Sequence, residues 1–145
     1  MTAKEFLEQV RYVDRAINSK LEQVERLRGE STKATSLVSD MPHGSSPNLQ
    51  RLEDTIIKII DLENEINRDI DWLVDLKTAA RAAINSMANP DERLILELRY
   101  LCYRSWVEIA EELGFSESNV YRLHGLALGN FVVPDDPSGK SWSKM

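Results

Sequence analysis

The stretch WVEIAEELGFSESNVYRLHG, residues 106–125, has the spacing of two short helices folded across a tight turn. A small residue, Ala110, sits where the second helix must approach the first, and Gly114 sits where the chain must reverse with positive φ. Ile109, Leu113, Phe115, Val120 and Leu123 recur at helical spacing on the inward side. A single amphipathic helix has no use for Gly114, whereas a helix-turn-helix does. Ser116 is a good N-cap for the second helix, and Glu117 suits the positive end of its dipole. With Val120, Leu123 and Ala127 inward, a rotation of about 100° per residue turns Ser118, Tyr121, Arg122 and Gly125 outward and leaves Asn119 on the flank. Asn reads adenine bidentately, Arg grips guanine or phosphate, and Ser and Tyr hydroxyls position the backbone, so this face suits a DNA major groove.

Working outward, Asn89-Pro90-Asp91 marks a boundary, since proline restarts a helix and Asp91 and Glu92 fit a first turn. The pattern predicts a helix over 91–103 that buries Leu94, Ile95, Leu98 and Leu101 or Cys102, because two helices alone are too small for a core. Arg104 and Ser105 precede the first motif helix, in reach of phosphate. His124 lines the edge of the module or touches a phosphate. Trp106 either joins that surface or packs at the helix start.

The run ERLILELRYLCYRSWVEIAEELGFSESNVYRLH, residues 92–124, resembles region four of bacterial sigma-70-type factors. Together with its helical front half, the chain is similar to small phage and prophage regulators of Gram-positive bacteria. The resemblance implies a transcription regulator that reads double-stranded promoter DNA, an activator of late genes working beside host RNA polymerase. Arg104, Ser105, Ser116, Ser118, Asn119, Tyr121, Arg122 and His124 are the candidate DNA-binding residues of this motif. Sigma-like recognition helices continue with Lys or Arg; here the continuation is the uncharged GLALGNF, residues 125–131.

Charge sharpens that departure. Between Pro90 and Phe131, Arg93, Arg99, Arg104 and Arg122 face seven carboxylates, a net charge of −3. Phosphate neutralisation dominates non-specific DNA affinity, so an acidic module needs a supplement, either a second copy or a polymerase tether. A helix-turn-helix used for protein contacts is the competing reading.

The front half is all helix by pattern. Ala3, Phe6, Val10, Val13, Ile17, Val24 and Leu27 form a coiled-coil-like seam interrupted by Lys20. A second seam runs through Leu49, Leu52, Ile56, Ile59, Ile66, Ile70, Leu73, Ala80, Ile84 and Met87, with Glu63 and Lys77 at core-type positions, where they either fix register or snorkel outward. Between them the Ser-, Thr-, Gly- and Pro-rich residues 29–48 read as a flexible loop. The expected fold is therefore all-α. Residues 1–89 form a long antiparallel helical hairpin with its loop at 29–48, residues 90–131 a three-helix DNA-binding module, and residues 132–145 a flexible tail carrying Trp142. The long stripes imply a homodimer, or else an intramolecular hairpin whose surplus apolar surface the module covers.

The chain has 145 residues, 42% of them hydrophobic and 29% charged, with a net charge of −6, which fits one or two small soluble domains in the bacterial cytoplasm. No apolar run is long enough to span a bilayer, and the charged first residues do not read as a signal peptide. The single cysteine, Cys102, allows no intrachain disulfide and reads as a small core residue. His43 and His124 do not form a metal site, and no cofactor or enzyme motif is present: there is no phosphate loop or HExxH, and the carboxylates alternate with Lys and Arg on helical faces. A DNA-packaging subunit of the small-terminase kind, with a ring of long helices, is the alternative to a regulator, and oligomer size separates the two.

Overall fold

The computed structural model describes residues 1–39 and 47–136, with the side chains of 34–39 and 48 left aside; His43, Trp142 and the tail beyond Asp136 lie outside the described residues. The described chain is helical without strands: α1 (Ala3–Ser39), α2 (Pro47–Asn85), α3 (Pro90–Leu96) running on as a π-helical turn (Glu97–Leu101), α4 (Trp106–Leu113) and α5 (Glu117–Asn130). The expected class, a long helix pair followed by a small helical module, is what forms.

Of the expected loop at 29–48, residues 29–39 and 47–48 are helical, and 40–46 lie outside the described residues. α1 runs through Gly29 to Ser39, and α2 begins at Pro47. Serine and threonine are weak helix formers, not breakers, and Thr32 satisfies its hydroxyl on the Arg28 carbonyl at 3.0 Å. Gly29 is solvent-exposed within the helix, where its cost is only about 1 kcal/mol, well within what a long helix tolerates. Pro47 takes the first helical position, where its missing N–H is no loss. At the other end, Thr2 and Glu5 cap α1 reciprocally: Glu5 N–H donates to Thr2 Oγ1 at 3.1 Å, and Thr2 N–H donates to Glu5 Oε2 at 3.2 Å.

Contacts divide the chain into two compact units, and the division falls inside the long helices: Asp14–Trp72 form one, and Met1–Val13 with Leu73–Met145 form the other. In the first, α1 and α2 pair antiparallel. Lys20 Nζ donates to Asp69 at 2.6 Å and lies 3.5 Å from Glu65, while Arg28 meets Glu63 at 2.6 Å. Glu63 thus turns outward to a partner instead of entering the seam. The hydrogen bond from Lys20 to Asp69 raises the lysine's pKa above its ordinary value. Ile17, Val24 and Ile66 are buried, but Ile56 and Ile70, placed on the seam by their spacing, are exposed. An apolar stripe of period 3.5 on a 3.6-residue helix drifts by about 20° per heptad, so one facing helix cannot cover its whole length.

In the second unit the buried stripe is wider than a seam. Phe6, Leu7, Val10 and Val13 of α1, Leu76, Ala80 and Ile84 of α2, and Met87 just beyond it are all buried. Leu7 and Leu76 lie off the expected heptads because this end of the pair contributes to a globular core. Phe6 stacks on Phe131 with ring centroids 6.0 Å apart, which ties the first turn of α1 to the residue that ends α5. Lys77 lies 5.1 Å over the Tyr103 ring, so its charge leaves the seam along a packed stem.

Candidate nucleic-acid interface

The helix-turn-helix is set by its caps. Ser105 caps α4, with its Oγ accepting from Glu108 N–H at 3.2 Å, and Ser116 caps α5 in the same way from Asn119 N–H at 3.2 Å. Between them Gly114 adopts φ 70°, ψ 28°. Phe115 N–H donates to the Ala110 carbonyl at 3.0 Å and Gly114 N–H to the Glu111 carbonyl at 3.4 Å, the paired bonds of a Schellman turn. Ile109, Ala110, Val120 and Leu123 close on Ile95 and Leu98 of the preceding segment, with Trp106, Leu113 and Phe115 packed at the edge.

The segment before α4 departs from the expected helix over 91–103. Asn89 caps α3, its Oδ1 accepting from Asp91 N–H at 2.9 Å and Glu92 N–H at 3.3 Å. After Leu96 the helix widens into a π turn, with Cys102 N–H bonded to the Glu97 carbonyl at 2.9 Å. Beyond the extra residue the inward face is rotated: Tyr100 is buried and Cys102, assigned to the core by a 3.6-residue period, is exposed. Ahead of it Leu96 is buried and Leu94, also expected in the core, is exposed. Tyr103 then takes φ 59°, a left-handed position that is rare for a tyrosine. Glu92, read from sequence as a first-turn charge, is buried, and both its carboxylate oxygens accept from Asn130 Nδ2, at 3.0 and 3.2 Å. That clamp holds the end of α5 to the start of α3.

The eight candidate DNA-binding residues fall into three groups. Ser118, Tyr121 and Arg122 are exposed on α5, with Asn119 half-buried beside them. Arg122 donates from Nη2 (2.8 Å) and Nε (3.3 Å) to Asn119 Oδ1. The Asn119 amide oxygen is thus engaged by the neighbouring Arg122 on the same helix. Ser105 and Ser116 are spent as caps, and Arg104 forms an ion pair with Glu112 at 2.7 Å.

His124 forms the third group by itself. Its Nε2 lies 2.7 Å from the Tyr100 hydroxyl, and its ring meets the Trp106 edge at 4.6 Å. Burial, reinforced by the charges of Arg99 and Lys4, pulls its pKa down to about 4, so it is neutral at pH 7 and brings no positive charge to a phosphate. Burial likewise pushes the Tyr100 hydroxyl up to about 12. Trp106 lies 5.2 Å from Tyr121 and carries the Arg99 guanidinium 4.3 Å over its ring. Trp106 packs at the start of α4 against His124 and Tyr121, whereas Arg99 and Tyr100 carry no assignment in the sequence reading. The π turn that aims these last two leaves no mark in a helical pattern.

Among the described residues no helix is long and apolar enough to cross a membrane, and no cluster of His, Cys, Asp or Glu could hold a metal ion. Residues 89–130 match the family model of Sigma-70, region 4. No curated protein and no solved structure matches the chain. The matched segment runs from the Asn89 cap to Asn130, and so spans α3, the π turn, α4 and α5.

Proposed function

We propose that the chain is a sequence-specific, DNA-binding transcription regulator with no catalytic step, in which α5 enters the major groove of promoter DNA. The observation that carries this reading is the coincidence of the Sigma-70 region 4 match with a left-handed Gly114 turn that leaves Ser118, Tyr121 and Arg122 exposed on one face. Arg122 supplies the grip on guanine or phosphate, and Ser118 and Tyr121 position the backbone. The finer role, a late-gene activator of phage or prophage type acting beside host RNA polymerase, rests on the sequence resemblance. It answers the module's acidic balance, since a tethered partner raises effective concentration without a basic surface.

A homodimer through the long helices fits the same need. In the 14–72 unit, Ile57 and Ile60 are more than half exposed, at 56% and 52%, beside Ile56 at 44%, an apolar patch that a second copy would bury. Sedimentation at micromolar concentration tests it: Ile57→Lys is expected to shift a dimer to monomer, and a strictly monomeric parent protein rules it out.

A gel shift on promoter fragments tests DNA binding itself. Arg122→Ala is expected to weaken specific binding by roughly 5- to 150-fold, the worth of one good base contact at about 1–3 kcal/mol. Unchanged binding removes Arg122 from the interface.

A further inference from the structure

One cavity of the module is unlike the rest of its acidic surface. It encloses about 270 Å³ and is walled by Trp106 and Tyr121, with His124 and Tyr100 at its base. Lys4 and Arg11 of α1 and Arg99 of the π turn also line it, against one carboxylate, Glu8. Three cations thus converge on a space inside a segment whose own balance is negative. Two of them come from the opposite end of the sequence, seven residues apart on one face of α1.

The two cations of α1 are poorly compensated. Among the described residues neither Lys4 nor Arg11 takes part in an ion pair. Arg11 Nε is buried without a hydrogen-bond partner, which leaves a partly desolvated guanidinium with an unmet donor. Arg99 is held in place from two sides, with Nη1 donating to the Arg104 carbonyl at 3.0 Å and its plane over Trp106. The positive field is felt inside the pocket: Arg99 and Lys4 both act to keep the His124 ring uncharged. The rim is set by Tyr121, whose side chain belongs to the exposed face of α5.

We propose that this cavity binds a phosphate group, with Lys4, Arg11 and Arg99 supplying the charge that neutralises it. Arginine and lysine are the usual partners of phosphate, and a partly enclosed site strengthens each charge-assisted bond. The site supplies the basic element that the GLALGNF continuation of α5 lacks, and supplies it from α1. The phosphate is either a backbone diester of DNA lying along Tyr121 or a free phosphorylated small molecule. The proposal rests on the DNA-binding reading only for the first of these sources.

The test uses the full chain and inorganic pyrophosphate as the probe, with a DNA duplex as the second arm. The chain has two histidines, so His43→Gln identifies the His124 ring signals by NMR. Pyrophosphate is expected to move the His124 and Trp106 ring signals at pH 7 and to raise the His124 pKa by roughly one unit, because a bound anion favours the imidazolium. Lys4→Gln and Arg11→Gln are each expected to weaken pyrophosphate binding by at least about tenfold, while Arg11→Lys retains most of it and shows that the fold is intact. If the phosphate is that of DNA, the duplex moves the same signals and pyrophosphate competes with it. Each charge-removing variant then weakens all sequences alike and lowers the salt slope by about one. If the phosphate belongs to a small molecule, pyrophosphate binds as before and Arg11→Gln leaves duplex affinity unchanged. A protein that binds pyrophosphate here but no duplex keeps the site and loses the DNA reading. A protein that binds duplex while neither ligand moves these signals keeps the DNA reading and overturns the site, as does an Arg11→Gln variant with an undiminished response.

Discussion

Replacing two glycines by the same residue should shift stability in opposite directions. A Cβ added at Gly114 or at Gly125 meets nothing within 4 Å, so packing contributes nothing at either position and only the backbone differs. At Gly114, φ is 70°, and an L-residue there costs roughly 1–2 kcal/mol, offset in part by the lower entropy of the unfolded alanine chain, about 0.4–1 kcal/mol. Gly114→Ala should therefore destabilise by about 1 kcal/mol. Gly125 lies inside α5 with ordinary helical backbone, where alanine is better by roughly 0.5–1 kcal/mol. The two variants should differ by about 1.5–2 kcal/mol. Urea unfolding followed by far-UV circular dichroism measures this as midpoints moving in opposite directions at unchanged slope. Gly114→Asn, which tolerates the left-handed region, should recover part of the loss. The reasoning fails if both alanines shift the midpoint the same way, or if Gly114→Ala is neutral to within about 0.3 kcal/mol, since φ is then not what selects glycine at the turn.

Asn130→Ala removes the donor to both oxygens of the buried Glu92 and should cost about 1.5–3 kcal/mol in the same assay, whereas an exposed control such as Asn67→Ala should be nearly silent. Ser116→Ala should lower stability by about 1 kcal/mol through the lost α5 cap, and thermal melts of Ser105→Ala should show a similar loss at α4. His124 should make stability depend on pH: above its ordinary value of 6.5 the ring is neutral in both states, and between there and about 4 the unfolded chain takes the proton first. Stability contributed by the neutral ring is thus lost as pH falls through that window and levels off below about 4, and His124→Gln should flatten the profile of unfolding midpoint against pH there. A parent profile no steeper than that of the variant would show the ring to be accessible to protons in the folded state.

Local chemistry made much of the module legible. Gly114 can be read as a left-handed turn, Ser105 and Ser116 stand where helices need caps, and Ile109, Val120 and Leu123 keep a helical period, all features settled by residues within a few positions of one another. The same reading fails where a residue's role depends on distant chain. The π turn at Glu97–Leu101 inserts one residue, so that Tyr100 is buried and Cys102 exposed, and no breaker in the sequence marks it. Gly29–Ser39 stays helical although its composition suggests a loop, because composition is a weak prior once a long helix is already nucleated.

Periodicity and backbone preference act over one or two turns, which is enough to set the all-helical class, the turn at Gly114, the caps, and the outward placement of Ser118, Tyr121 and Arg122. Tertiary packing makes His124 a neutral ring against Tyr100 and ties Arg104 to Glu112. It alone also brought Lys4 and Arg11 beside Arg99. Those outcomes depend on burial and on partners brought together in space, from Arg104 and Glu112 eight residues apart to Lys4 and Arg99 at opposite ends of the chain, and a helical period carries no information about either.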